Sequence, residues 1–198
     1  VLLALLDDTI RMVATVAGLS QENMTRGAGW RFLDLGRRLE RAHYVCSGAH
    51  FAFTQSPVIW ESSMRLALEL CDSTITYRGR YLGALEPAPT LDLTLLDESN
   101  PRSLAFQVHA IDRHLDVLAR TTGSRVAFDD NALVADMRDV VALFQTDERA
   151  WRHQGLALTR LRDTLTDTVE IFVRLSDELT RAHFSLVPAA RRLGAPAE

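Results

Sequence analysis

Charged side chains crowd around a tryptophan near the start of the chain, in a segment whose apolar residues recur at helical spacing. Arginine guanidinium groups bind carboxylates and phosphates through paired hydrogen bonds, and an acid four residues away on a helix can neutralise an arginine. The segment is therefore a candidate either for an anion site or for an internal salt-bridge network. Its charged residues are Arg26, Arg31, Asp34, Arg37, Arg38, Glu40 and Arg41.

The helix that carries these charges has two apolar strips on a helical wheel. The main arc comprises Phe32, Leu35, Leu39, Cys46 and Phe53. A separate strip comprises Leu33, Tyr44 and Phe51. We therefore expect neighbours to cover this helix on two sides and to desolvate the charges at the edges. Because an unpaired buried charge is costly, Asp34 is expected to pair with Arg38, and Arg37 with Glu40. Gly36, beside the main arc, indicates a close helix contact.

Further arginines flank two tyrosines at the end of the third predicted helix, in the run Tyr77, Arg78, Gly79, Arg80 and Tyr81. If this end packs near the charged helix, the two groups form an arginine-rich pocket. Such a pocket suits an anionic peptide or amino-acid substrate, with a carboxylate such as Glu40 as orienting group or base.

The segment Asn100-Pro101-Arg102-Ser103 predicts the start of a helix, with Asn100 as the cap and the proline at the first helical position. The alternative is an anion site that uses Arg102 and the free backbone N–H groups of the helix start. No residue of the chain stands out as a catalytic nucleophile, so the catalytic residues stay unassigned.

The composition argues against several functions. All 22 basic residues are arginine, so no lysine is present for a Schiff base or a phosphate-binding loop. The net charge of −4 argues against a general nucleic-acid binder. No apolar run reaches the ~18 residues of a membrane span, so no membrane association is expected. Cys46 and Cys71 lack the spacing of metal or redox motifs and are expected to be buried thiols of a cytoplasmic protein.

A metal site is not expected either. Glu40 and His43 are spaced as in di-iron helical bundles, but such a site needs a second pair of this kind and two further carboxylates. We therefore predict that this chain holds no metal and no cofactor.

Apolar stripes at helical spacing, broken at prolines, predict an all-α fold. The helices can bury these stripes only against one another, so residues 1–198 are predicted to form a single helical bundle of about six helices. The last helix is the longest. The predicted helices span roughly 2–19, 30–53, 57–81 with Ser56 as its cap, 101–121, a segment that starts near 131 and includes Phe144, and 151–183. A loop is predicted at 86–89 and a short helical turn at 92–96.

Four segments of the chain together resemble the bacterial alpha-E domain. They are ENMTR at 22–26, GWRFLDLGRRLERA at 29–42, YRGRY at 77–81 and LLDESNPRSLAFQ at 95–107. The resemblance extends to about residue 185, and it identifies Glu40-Arg41 as the Glu-Arg motif for which the family is named. The motifs are most similar to the form fused behind a circularly permuted ATP-grasp ligase domain. This implies that the chain is the C-terminal portion of a longer protein, in agreement with its start at Val1.

The resemblance also implies partners. It predicts an accessory role beside an ATP-grasp ligase that forms amide or peptide bonds, acting in cis or in trans. Genes of this family commonly lie near those of transglutaminase-like peptidases and proteasome-like Ntn hydrolases, which are therefore further candidate partners. ATP and Mg²⁺ are expected only on the linked ATP-grasp domain.

Overall fold

The part of the chain that the structure describes is helical, as predicted. The computed structural model describes residues 2–54, 60–146 and 155–184. These ranges contain eight α-helices, a π-helical turn and no strand. In chain order they are α1 (Leu2–Asn23), α2 (Ala28–Thr54), α3 (Trp60–Leu70), α4 (Thr74–Arg80), α5 (Pro87–Leu91), the π turn (Asp92–Leu96), α6 (Leu104–Thr122), α7 (Asp130–Thr146) and α8 (Leu156–His183).

Helix α2, the charged helix, lies at the centre of the bundle, between α6 and α8. It is antiparallel to α8, because the ring centroid of Phe32 near its start lies 5.1 Å from that of His183 near the end of α8. It is also antiparallel to α6, since Asp34 contacts His114 whereas Arg38, one turn later, contacts Gln107. Helix α7 packs against α8, and the segment 87–96 lies against α3, α6 and α7.

The core forms where the predicted apolar stripes meet. The apolar periodicity predicts a stripe on α6 and one on α8, and all of these residues are buried except Ala182. The α6 stripe comprises Leu104, Val108, Ile111, Leu115 and Leu118, and the α8 stripe comprises Leu158, Leu161, Leu165, Thr168, Phe172, Leu175, Leu179 and Ala182. Burying one leucine side chain contributes about 1.5–3 kcal/mol, so these two stripes supply much of the stability of the bundle. The buried residues of α8 are Ala157, Leu158, Leu161, Leu165, Thr168, Phe172, Leu175 and Leu179.

The third predicted helix is two helices in the structure, which corrects the sequence analysis. Asp72 has a φ of 48°, a left-handed conformation that ends α3. Its N–H donates to the carbonyl of Glu69 at 3.0 Å, and the N–H of Ser73 donates to that of Leu68 at 2.8 Å. These two bonds form a Schellman motif, and α4 starts directly after it. The cap predicted at Ser56-Pro57 lies outside the described residues, as does the predicted start of the last helix at 151–154.

The segment predicted as the loop 86–89 also differs, because Pro87 begins the short helix α5. Pro87 occupies the first turn of that helix, where its missing N–H would have no partner. The π turn follows without a break, and the N–H of Asp97 donates to the carbonyl of Asp92 at 2.9 Å.

Within the described ranges, the two apolar strips of helix α2 differ in burial. Its main arc is in the core, but the second strip is exposed, with Tyr44 at 53% and Phe51 at 58% of full exposure. The close contact predicted at Gly36 is absent, because a Cβ built there would have no neighbour within 4 Å among the described residues. The sequence pattern could not distinguish a strip that packs inside this chain from one left on its surface.

Helix α1 stands apart from the other described helices. None of its residues is buried, and it has no extensive packing contact with any other described helix. Nine of its apolar residues are about half exposed or more: Leu2, Leu3, Leu5, Leu6, Ile10, Met12, Val13, Val16 and Leu19. Neither α1 nor any other described helix combines the length and apolar character needed to cross a membrane.

Candidate functional site

A buried polar network joins α2 to α6, with Asp34 at its centre. Asp34 and His114 are only 4% and 7% exposed. The imidazole Nε2 of His114 lies 2.8 Å from Oδ2 of Asp34, and Nε of Arg38 donates to the same oxygen at 3.2 Å. The bond from His114 lowers the pKa of Asp34, burial opposes this effect, and Arg38 lowers it further, so that the pKa is about 2. Asp34 is therefore a fully charged carboxylate at neutral pH.

One end of this network reaches the N-terminal part of α2. Nη1 of Arg31 lies 3.5 Å from Nδ1 of His114. Because a guanidinium can only donate, Nδ1 must accept, which leaves the proton of a neutral imidazole on Nε2, facing Asp34. The ring of Trp30 meets His114 edge-on at 5.4 Å, and the guanidinium of Arg26 lies 4.4 Å from the Trp30 ring centroid. The Trp30 ring thus packs between the guanidinium of Arg26 and the imidazole of His114.

The other end of the network reaches the turn before α6. Nη1 of Arg38 donates to Oε1 of Gln107 at 3.2 Å, and Nε2 of Gln107 donates to the carbonyl of Pro101 at 2.7 Å. The Arg38 guanidinium also lies 5.3 Å from the centroid of the Phe106 ring. The network therefore fixes the register of α2 against both the start and the middle of α6.

The sequence analysis identified Asp34, Arg31 and Arg38 but missed His114 and Gln107. Both lie on the core stripe of α6, at helical spacing with Ile111 and Leu118. Two polar residues on an otherwise apolar stripe were the available signal, because a buried polar group needs a partner.

Arg41 lies one turn beyond Arg38 and has a different environment. It is half-buried and forms no hydrogen bond or ion pair with any described residue. Burial lowers its pKa, as do Arg102, Arg38 and Arg37, whereas Asp34 has the opposite effect. Four arginines thus lie close enough to repel one another where the start of α6 packs on α2.

The predicted pair between Arg37 and Glu40 does not form. Neither side chain has an ion-pair partner within the described ranges, and Glu40 is exposed. Glu40 lies instead in a groove of about 190 Å³ between α2 and α8, together with Leu39, His43, Phe172, Val173, Ser176 and Asp177.

The tyrosine–arginine end of α4 belongs to a separate cluster. Nη1 of Arg80 lies 2.7 Å from Oδ2 of Asp97, in the turn before α6. The hydroxyl of Tyr77 accepts from the N–H of Glu86 at 3.0 Å and donates to the carbonyl of Ala84 at 3.2 Å. Arg78 is exposed and has no ion-pair partner in the described part of the chain. Among the described helices, α4 packs against α3 and has no extensive contact with α2. The single arginine-rich pocket stays a prediction.

Asn100 and Ser103 have structural roles in the turn before α6. Ser103, rather than Asn100, is the N-cap, because its hydroxyl accepts from the N–H of Phe106 at 3.1 Å. Its hydroxyl also donates to the carbonyl of Asp97 at 2.6 Å. The side-chain amide of Asn100 donates to the Leu93 carbonyl and to the Ser73 hydroxyl, both at 3.0 Å. The proline therefore lies in the preceding turn and not at the first position of the helix.

Arg102 projects from the same turn and is partly exposed. Its Nη2 lies 3.4 Å from Oδ2 of the exposed Asp72. Burial raises the pKa of the Cys71 thiol to about 12, and the charge of Arg102 partly offsets this effect. Cys46 and Cys71 are both buried and reduced, and burial raises the pKa of Cys46 as well. The described residues contain no group of three or more His, Cys, Asp or Glu side chains that could hold a metal ion.

Comparison with known proteins gives a family match over nearly all of the chain. Residues 2–184 match the Alpha-E family, described as a predicted alpha-helical domain with a conserved ER motif. The chain is also similar to uncharacterized proteins of Mycobacterium bovis and Mycobacterium tuberculosis, with 29% identity over 119 residues. That alignment covers 59% of this chain but only 14% of the length of each relative. No solved structure matches the chain.

Proposed function

We propose that this chain, which belongs to the Alpha-E family, is a helical module that binds an ATP-grasp ligase and supports the formation of amide or peptide bonds there. The observation that carries the proposal is the uncovered apolar face of α1. The ligase domain is either part of the same polypeptide or a separate protein. In this proposal ATP and Mg²⁺ bind to the ligase, and this chain contributes the apolar face of α1 as the docking surface.

The α1 face is large enough for a stable helix contact. Its 22 residues extend over roughly 33 Å. On a helical wheel the exposed apolar residues occupy about half of the circumference, and the polar residues Asp7, Arg11 and Thr15 lie opposite. An exposed apolar surface of this kind marks a protein or membrane contact, because water disfavours it.

The charge of α1 favours a protein over a membrane surface. The helix contains Asp7, Asp8 and Glu22 but only one basic residue, Arg11. Helices that lie on membranes have polar faces rich in arginine and lysine, which anionic lipids attract. An acidic polar face instead fits a helix that packs its apolar side into a groove of another protein.

The Asp34 network gives the module a rigid body behind this contact. A buried ion pair holds its register because breaking it leaves a charge without a partner. The network joins α2 to α6, and α2 also packs on α8, so contacts hold three of the longest helices together. Transglutaminase-like peptidases and proteasome-like Ntn hydrolases are secondary candidate partners of the same assembly.

A substitution on each face of α1 tests the proposal. We expect Val13→Asp to abolish co-purification with the ATP-grasp protein and to lower ligase turnover to the level measured without this chain. The matched control is Thr15→Asp, on the polar face, which places the same charge in the same helix. The control should keep both association and turnover.

Two results would contradict the proposal. The first is ligase turnover that is the same with and without the chain, together with no association. The second is an equal loss of association in the two variants, which would mean that helix α1 tolerates no added charge at all. Circular dichroism of both variants checks that their helix content is unchanged.

A further inference from the structure

We propose that Arg41 and Arg102 form a binding site for an oxyanion, the carboxylate or phosphate group of a small ligand or peptide. The site lies where the turn before α6 packs against α2. It is separate from the apolar face of α1, so it does not depend on the proposed ligase contact.

The Asp34 network brings the two arginines together. Gln107 accepts from Arg38 at 3.2 Å and donates to the carbonyl of Pro101 at 2.7 Å. That carbonyl belongs to the peptide bond that joins Pro101 to Arg102, so a single side chain links Arg38 to the backbone of Arg102. Arg41 lies one helical turn beyond Arg38 and is therefore next to the same turn.

The acids near the cluster do not neutralise it. Both carboxylate oxygens of Asp34 are engaged by the buried network, Oδ2 by His114 and Arg38 and Oδ1 by Arg38 at 3.5 Å. The remaining acid, Asp72, is largely exposed and lies 3.4 Å from Arg102. Ion pairs of exposed groups are weak in water, so Asp72 holds Arg102 only loosely. The half-buried guanidinium of Arg41 is left without a carboxylate partner among the described residues.

The position of Arg41 is unfavourable without an anion. Partial burial removes water from its charge, and Arg102 and Arg38 repel it, so its pKa is lowered. A bound oxyanion would replace the lost hydration and screen the repulsion between Arg41 and Arg102. Because Arg102 is exposed and Arg41 is only half-buried, a ligand can reach the pair from solvent.

The chemistry of guanidinium selects the class of ligand. Its planar set of N–H donors matches the two oxygens of a carboxylate or of a phosphate, and the paired bonds add both strength and direction. Two guanidinium groups on different elements can hold one such group between them. A neutral amide or a single chloride ion offers no equivalent pair of acceptors.

Thermal unfolding with defined anions tests the site. The probes are inorganic phosphate, acetyl-trialanine with a free carboxylate, and the same peptide with a C-terminal amide, each at an ionic strength balanced with sodium chloride. We expect phosphate, the free-carboxylate peptide or both to raise the Tm by about 3–6 °C at about ten times Kd. The amide and chloride alone should have no effect. A response to only one of the two anions supports the site and shows whether it binds a phosphate or a carboxylate group.

Variants then assign the response to the two arginines. Arg41→Gln and Arg102→Gln should each weaken anion binding by about tenfold or more. Arg138→Gln on α7, which removes the same charge at an exposed position, should keep wild-type affinity. Arg41→Gln also relieves the repulsion, so its Tm without anion should equal or exceed that of the wild type. An unchanged or higher Tm would show that Arg41→Gln still folds, so that its weaker anion binding reflects loss of the binding site.

Three outcomes would overturn the inference. In the first, no anion raises the Tm of the wild type more than chloride does. In the second, anions stabilise Arg41→Gln and Arg102→Gln as much as the wild type. In the third, Arg138→Gln loses as much anion affinity as those two variants. The third outcome would show that the anion responds only to the overall charge of the chain.

Discussion

Replacing Asp34 with asparagine should remove a defined part of the stability of the bundle. The side chain keeps its size and one acceptor oxygen but loses the charge that binds His114 and Arg38. Its pKa falls from 3.8 to about 2 in the folded chain. A shift of this size corresponds to about 2–3 kcal/mol of stability at neutral pH, because the charged form is favoured by folding. Asp34→Asn should therefore lower the free energy of unfolding by about that amount.

The same reasoning fixes how this difference depends on pH. Because the pKa of Asp34 is lower in the folded than in the unfolded chain, its contribution is complete above about pH 5 and decreases as the pH falls towards 2. Near pH 2.5 about one-third of it should remain. Urea unfolding followed by the helical circular dichroism signal, at several pH values, gives the difference between wild type and Asp34→Asn directly.

Asp116→Asn is the matched control for this measurement. Asp116 also lies four residues from an arginine, with Oδ2 3.3 Å from Nη2 of Arg120, but both side chains are more than half exposed. An exposed pair of this kind contributes less than about 1 kcal/mol. If Asp34→Asn were no more damaging than Asp116→Asn, or if its effect were the same at pH 7 and pH 2.5, the buried network would not have the role assigned to it.

Two further predictions concern local stability, and urea unfolding tests both. Gly36→Ala should raise the free energy of unfolding by about 0.5–1 kcal/mol, because the exposed position has room for a Cβ and alanine favours the helix. Gly48→Ala should raise it less, because a Cβ at Gly48 would lie 2.8 Å from Cδ1 of Leu70. A larger increase in Gly48→Ala than in Gly36→Ala would contradict this packing. Ser103→Ala should lower the free energy of unfolding by about 1–2 kcal/mol, because the N–H of Phe106 loses its cap, whereas an unchanged value would mean that water replaces the hydroxyl.

The core helices were predictable because their sequences contain the information locally. The stripes of α6 and α8 repeat at helical spacing over about four and about six turns, and only the bundle interior can bury them. The break between α3 and α4 depends on one residue, Asp72, in a left-handed conformation that glycine usually adopts. An aspartate gives little warning of such a turn, so the sequence predicted one continuous helix.

The candidate site shows the same division between local and distant contacts. The pair of Asp34 and Arg38 follows from a spacing of four residues on one helix. The contact of Asp34 with His114 joins residues 80 positions apart, and only the packing of α2 on α6 creates it. Whether Arg78 and Arg80 approach Arg41 depends likewise on how α4 packs, and in the structure Arg80 pairs with Asp97.

Glu40 and Arg41, which the resemblance predicts to be the Glu-Arg motif, lie on two sides of α2. Successive residues on an α-helix point about 100° apart, so Glu40 and Arg41 cannot face the same neighbour. Glu40 lies in the groove between α2 and α8, and Arg41 lies beside Arg38 and Arg102 at the start of α6. The two letters of the motif therefore belong to two different surfaces of one helix. Glu40→Gln should leave anion binding at Arg41 unchanged, and an equal loss in Glu40→Gln and Arg41→Gln would show instead that the pair acts as a single site.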